Sequence, residues 1–180
     1  YEVTVFDRDH RPGGMIWSQI PRFRLPMEVI DEEVGYILDL GVRFEQRHVE
    51  SMKAMLEERF DAIFVGTGAP KGRDLDLPGR SEASANIHVG IQWLASVSFG
   101  HREQIGSRVI VLGGGNTAMD CCRTARRLGG EDVKVIVRSG FEEMKASPWE
   151  KEDAMHEGIP ILNYLVPTAF VHENGKLIGM

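Results

Sequence analysis

Apolar and polar positions change period several times along the 180 residues, and each change predicts an element. YEVTVFD alternates as a half-buried strand does and ends on Asp7, ahead of a turn at Gly13 and Gly14. MIWSQIPRFRLP, with prolines at 21 and 26, reads as a polar-aromatic loop. Pro26 suits the first turn of a helix. Ile30, Val34, Ile37 and Leu38 then recur at helical spacing, and Gly41 closes the run. VRFEQ reads as a short strand, and Ser51 as the cap of a helix reaching about Glu58. DAIFVGTGAP reads as a buried strand running into a glycine turn, and residues 71–85 as a linker rich in charge, glycine and proline.

The second half repeats the alternation of element types. HVGIQWLASVSFG is amphipathic and helical, and RVIVLGGGNTAMDCCRTARRLGG is strand, glycine loop and helix. DVKVIVRSG is the next strand, SPWEKEDAMHEG a helix and IPILN a strand. TAFVHENGKLIGM closes as a hairpin turning at Asn174 and Gly175. Strands alternating with helices predict the α/β class. No repeat at solenoid or propeller period is present.

Composition narrows the function. A chain with 42% hydrophobic and 27% charged residues is an ordinary globular one. Its net charge of −6 argues against a nucleic-acid surface, and the arginines of RTARRLGG read as a solvated helix face. No apolar run is long enough to span a membrane, so neither nucleic acid nor membrane is expected as a partner. The histidines lack ligand spacing and no metal site is expected. Cys121 and Cys122 are adjacent, point about 100° apart on a helix, and read as reduced packing residues of a cytoplasmic protein.

The most informative stretch is VIVLGGGNTAMD. Gly113, Gly115 and Ala118 fit the G-x-G-x-x-G/A dinucleotide fingerprint. The first glycine allows the sharp exit from the strand, the second lets backbone approach a pyrophosphate, and the alanine keeps helix close to sheet. The helix start then offers free N–H groups to the phosphates. At the tip of the next strand stand Arg138 and Ser139, with Lys145 beyond. A cation there accepts the 2′-phosphate of NADP, where an acid would bond the 2′-hydroxyl of NAD. NADP is therefore favoured, with NAD possible.

Asp7 is the contrasting case, since a carboxylate at a strand end suits a ribose with both hydroxyls free, as in FAD or NAD. DAIFVGTGAP is expected to deliver Thr67 and Gly68 to the same side of that sheet. One acid-tipped and one arginine-tipped site point to a flavoprotein reduced by NADPH.

In this order, GGM and IPRFRLP, DAIFVGTGAPK, VIVLGGGNTAMDCCRTARRLGG and VKVIVRSGFEEMKASPWE resemble the small subunit of glutamate synthase. The flavin and NADPH domains of dihydropyrimidine dehydrogenase are similar, including an Arg-x-Gly-Phe like RSGF. The resemblance implies a Rossmann-like three-layer dinucleotide-binding fold. A partial FAD-binding domain would cover residues 1–85, with an inserted NAD(P)-binding domain over 86–180. It implies that Asp7 and Arg8 meet the FAD adenosine, that Gly14, Met15 and Arg24 line the flavin nucleotide, and that Val49 contacts adenine through its backbone. Gly114, Gly115, Asn116 and Thr117 would wrap the NADPH pyrophosphate, with Arg138 and Lys145 on the 2′-phosphate. Ser139 stands where the family often has a second basic residue, and Lys145 replaces a common proline.

The resemblance further implies hydride transfer from NADPH to FAD, then electron flow to iron–sulfur clusters or a large subunit, with no side chain acting as acid or base. The FAD domain's first strand, glycine loop and helix have no counterpart here. The chain is therefore expected to correspond to part of a longer enzyme, to bind NADP(H) weakly or moderately and to hold FAD poorly. Glu142 and Glu143 read as surface charges. A disulfide reductase is a rival, but it requires a redox-active cysteine pair separated by two or four residues, which Cys121 and Cys122 do not provide. A non-catalytic NAD(P)-binding regulatory module is the alternative from another class.

Overall fold

The computed structural model describes residues 1–180, which divide into two compact units, 1–70 and 71–180. In the first unit, β1 (Thr4–Asp7) and β2 (Arg43–Gln46) pair in parallel, Thr4 opposite Arg43 and Asp7 opposite Gln46. The ladder extends one residue at each end, where Arg43 N–H donates to the Val3 carbonyl (2.9 Å) and Arg47 N–H to the Asp7 carbonyl (2.6 Å). Between the strands lie α1 (Gly14–Gln19) and α2 (Met27–Leu38), and α3 (Met52–Glu57) follows β2. Pro26 is the residue immediately before α2, and the Ser51 hydroxyl caps α3 by accepting the Ala54 N–H at 3.3 Å.

Two expectations for this unit are corrected. The stretch read as a polar-aromatic loop begins with a helix, α1. Trp17 is buried there beside Ile30, the guanidinium groups of Arg11 and Arg22 stand 5.0 and 4.6 Å from its ring, and Arg22 donates to its carbonyl at 2.7 Å. Burial of one large aromatic organises the turn, which polar residues around it conceal in the sequence. Conversely, residues 61–70 form no strand, and Phe64 is 95% exposed. The apolar run has strand propensity, but a strand also needs a hydrogen-bonded neighbour, and no ladder includes this segment.

In the second unit a turn at Ser84–Asn86 leads to α4 (Gly90–Ser98), β3 (Arg108–Leu112), α5 (Asn116–Arg127) and β4 (Asp132–Ile136). Next come α6 (Pro148–His156), β5 (Ile161–Leu162), β6 (Val171–Glu173) and β7 (Lys176–Gly179). Strands β3, β4 and β5 form a parallel sheet in that order, with α5 crossing from β3 to β4. This is the α/β arrangement that the alternation of elements predicts, and it is Rossmann-like as the resemblance implies. Val133 and Val135 of β4, with Val137 just beyond it, alternate inward and share a core with Ala118, Met119, Cys122 and Ala125 of α5. The closing hairpin β6–β7 turns at Asn174 and Gly175, both with positive φ (49° and 77°) as a two-residue hairpin requires.

The division between the two compact units falls at 70/71. Residues 71–85 are not a free linker. The Pro78 carbonyl accepts the Phe170 N–H at 2.8 Å, and Gly79 lies so close to the Phe170 carbonyl that a side chain could not fit. Hydrogen bonds made this far along the chain leave no local signature in a polar, glycine-rich stretch.

The arginines of α5 also depart from a solvated face. Arg126 and Arg127 are exposed, but Arg123 is 8% exposed and reaches Glu150 (3.3 Å), Asp153 (3.1 Å) and Glu157 (2.9 Å). Those carboxylates come from α6 and its end, so an interhelical ion network replaces the expected surface charge.

Candidate dinucleotide site

The glycine loop joins β3 to α5, and each glycine has a different neighbourhood. Gly113 has φ of +123°, a conformation L side chains rarely adopt, and its N–H donates to the Ile136 carbonyl at 3.0 Å. A Cβ on Gly114 would stand 3.0 Å from Val137 Cγ1 and 3.1 Å from Met144 Cγ. A Cβ on Gly115 would meet nothing within 4 Å. The second glycine is thus pressed against the protein, while the third faces open space.

Gly115 is also the cap residue of α5, and no side chain caps that end. The first turn carries no acidic residue, so no carboxylate of that turn competes for the orphan amides and the partial positive charge there. Arg126 and Arg127 complement the opposite end of the dipole. Ala118 is buried against the sheet as the fingerprint requires, whereas Asn116 and Thr117 are exposed.

Arg138 lies just beyond β4 and is exposed, Ser139 is half-buried and Lys145 is exposed. All three belong to the segment from 138 to 147, which folds back to the glycine loop. Ala146 N–H donates to the Gly114 carbonyl at 2.9 Å, and Ser147 N–H to Asn116 Oδ1 at 2.9 Å. Met144 and Ala146 anchor the segment in the core on either side of Lys145. The loop, the start of α5 and the segment bearing both cations are therefore one hydrogen-bonded assembly. Glu142 and Glu143 are exposed, and Glu143 also accepts the Gly140 N–H at 2.9 Å.

Sequence reasoning did not anticipate three residues that hold this assembly. Asn163 Nδ2 donates to the Ser139 carbonyl (2.9 Å), Ser147 binds Asn116, and Lys151 Nζ donates to the Phe141 carbonyl (3.1 Å). Each acts on a backbone or side chain remote in sequence. No spacing rule could have found them.

In the first unit, Asp7 closes β1, and its Oδ1 accepts the Asp9 N–H at 3.0 Å, with Arg8 exposed beside it. Gly14 and Met15 open α1, and Gly68 comes close to Met15, where a Cβ would stand 2.9 Å from Sδ. Arg24 is exposed and Val49 half-buried, outside helices and strands. Thr67 is exposed in the irregular 61–70 segment, so no strand delivers it or Gly68 to a sheet. Met15 and Gly68 are the members of this set that the fold brings side by side.

The two cysteines lie inside the core as free thiols, 6% and 0% exposed. Burial pushes the Cys121 thiol far above its usual range and the Cys122 thiol up to about 12, the reverse of what a reactive thiolate needs. No group of three or more His, Cys, Asp or Glu side chains could hold a metal. No helix is long and apolar enough to cross a membrane.

Residues 19–179 match the family described as pyridine nucleotide-disulphide oxidoreductase. The chain is 35% identical over 185 residues to the NADP(+)-dependent formate dehydrogenase subunit beta of Moorella thermoacetica, covering 100% of this chain and 26% of that protein. It is equally 35% identical to the glutamate synthase (NADPH) small chain of Azospirillum brasilense, covering 94% of this chain and 38% of that protein. The chain thus spans well under half the length of these relatives. FprA from Mycobacterium tuberculosis shares its fold, with a TM-score of 0.77 at 17% identity, over 98% of this chain and 55% of that one. With the match running from residue 19 to residue 179, through most of the chain, the chain belongs to the pyridine nucleotide-disulphide oxidoreductase family.

Proposed function

We propose that this chain is the dinucleotide-handling part of an NADPH-dependent flavin oxidoreductase. In this reading residues 71–180 hold NADPH and residues 1–70 contribute to an FAD site. One observation carries it: Gly115 is open where Gly114 is packed, at a helix start without cap or acid, joined by two hydrogen bonds to the segment bearing Arg138 and Lys145. Those residues fit a dinucleotide. The open glycine admits a pyrophosphate to the amides of α5, and two exposed cations suit a 2′-phosphate.

When bound, NADPH supplies a hydride and FAD accepts it. Arg138 and Lys145 bind and orient, Asn116 holds the segment in place, and no side chain need move a proton. In the first unit, Asp7 would bind ribose hydroxyls while Gly14, Met15, Arg24, Val49 and Gly68 line the FAD site. The relatives named as subunits of formate dehydrogenase and glutamate synthase support onward electron transfer to an iron–sulfur partner or large subunit. Two free, buried thiols support a reducing, cytoplasmic setting.

Calorimetric titration with NADPH and NADH tests the reading. NADPH is expected to bind more tightly, and Arg138→Ala to erase the difference. Absence of heat with both cofactors at millimolar concentration would overturn it.

A further inference from the structure

The segment from Arg138 to Ser147 links β4 to α6 without helix or strand. Such a segment holds two cations in register only if its backbone is tied down. Its end is tied to the glycine loop through Ala146 and Ser147, and its start through Asn163 to the Ser139 carbonyl. The middle is tied by Lys151.

Lys151 is on α6 and is 6% exposed. Its Nζ donates to the Phe141 carbonyl at 3.1 Å and stands 4.2 Å from the centroid of the Phe141 ring. Burying an ammonium is costly unless it gains specific contacts, and here both contacts fall on one residue, Phe141, midway between Arg138 and Lys145. Glu150, Asp153 and Glu157 converge on Arg123 of α5. That network fixes α6 on α5, so Lys151 ties the cation-bearing segment to the same helix whose N-terminus opens at Gly115.

We infer that Lys151 is a positioning residue for 2′-phosphate recognition. Its ammonium fixes the Phe141 carbonyl and ring, and thereby the backbone that presents Arg138 and Lys145. The inference rests on the NADPH reading above and adds to it a determinant that would not touch the cofactor.

The test compares dissociation constants for NADPH and NADH in the intact chain. Removing a hydrogen bond from a charged donor, as in Lys151→Met, is expected to weaken NADPH about tenfold while NADH changes little. Lys151→Arg, which can still donate to the carbonyl and stack on the ring, is expected to restore most of the loss. With both Arg138→Ala and Lys145→Ala in place the methionine variant should have little further effect, because Lys151 acts through the cations it positions. If Lys151→Met does not fold, Phe141→Leu keeps the carbonyl, removes the ring contact and should weaken NADPH selectively.

Equal loss of NADPH and NADH affinity in these variants, or full additivity with the paired Arg138→Ala and Lys145→Ala changes, would overturn the inference. So would an unchanged NADPH constant in both Lys151→Met and Phe141→Leu. A wild-type chain that does not distinguish the two cofactors would overturn the NADPH reading and the inference together. If the wild type prefers NADPH, Arg138→Ala abolishes the preference and the Lys151 variants keep it, the inference alone falls.

Discussion

Asn116 Oδ1 accepts a hydrogen bond from the Ser147 N–H at 2.9 Å, joining the first residue of α5 to the residue that precedes α6. An asparagine side chain next to a helix start can bond neighbouring backbone. Here it serves a remote strand-to-helix connection instead, and α5 is left without a side-chain cap. Removing it in Asn116→Ala is expected to cost about 1 kcal/mol of stability and to weaken NADPH binding. Faster hydrogen exchange at the Ser147 amide would locate the loss.

Two adjacent glycines should respond to substitution in opposite ways. Gly114→Val would drive a side chain into Val137 and Met144, and is expected to cost about 1–3 kcal/mol as overpacking does. Gly115→Ala adds a Cβ that meets nothing within 4 Å, so it should fold with stability within about 1 kcal/mol of wild type and weaken NADPH binding. Thermal melts paired with calorimetry separate the two effects.

Arg123→Ala leaves Glu150, 4% exposed, without its buried cation. Breaking a buried pair on one side costs about 3–5 kcal/mol, so this variant should be the least stable of those named here. Denaturant titration measures the change.

The same network sets an acid limit. Hydrogen bonds from Arg127 and Arg123 hold the Glu157 carboxyl below its ordinary value of 4.5. A depressed folded value adds stability that is complete above 4.5 and is lost as pH falls below it through the folded value. Melting temperature should therefore decline across that acid range, and the decline should be shallower in Glu157→Gln.

The buried thiols act at the other end of the scale. Both folded values lie above the ordinary 9.0 and Cys122 is pushed to about 12, so their contribution is complete below 9.0 and lost as pH rises above it. At pH 8 the folded chain should not react with a thiol reagent, while the unfolded chain should expose two thiols. Fast reaction of the native protein would contradict the burial described.

The local order of elements was largely readable. The spacing of Ile30, Val34, Ile37 and Leu38, the Ser51 cap, the alternation of β4 and the Asn174–Gly175 turn each name a conformation within a few residues. The glycine loop was readable for the same reason, since Gly113 and Ala118 answer constraints that lie inside one strand–turn–helix unit. What failed was whatever depended on a distant partner. Residues 61–70 look like a strand but have no ladder, and 71–85 look like a linker but bond the Phe170 backbone.

Sequence alone therefore determined the alternation of strands and helices, the position of the glycine loop and the cations beyond the following strand. These rest on periodicity and on the backbone limits of single residues. Tertiary structure alone decided that Arg123 is buried, that Asn116 holds Ser147 and that Lys151 supports Phe141. Hydrogen bonds and ion pairs form between groups that folding brings within about 3 Å, and a linear pattern carries no measure of that distance.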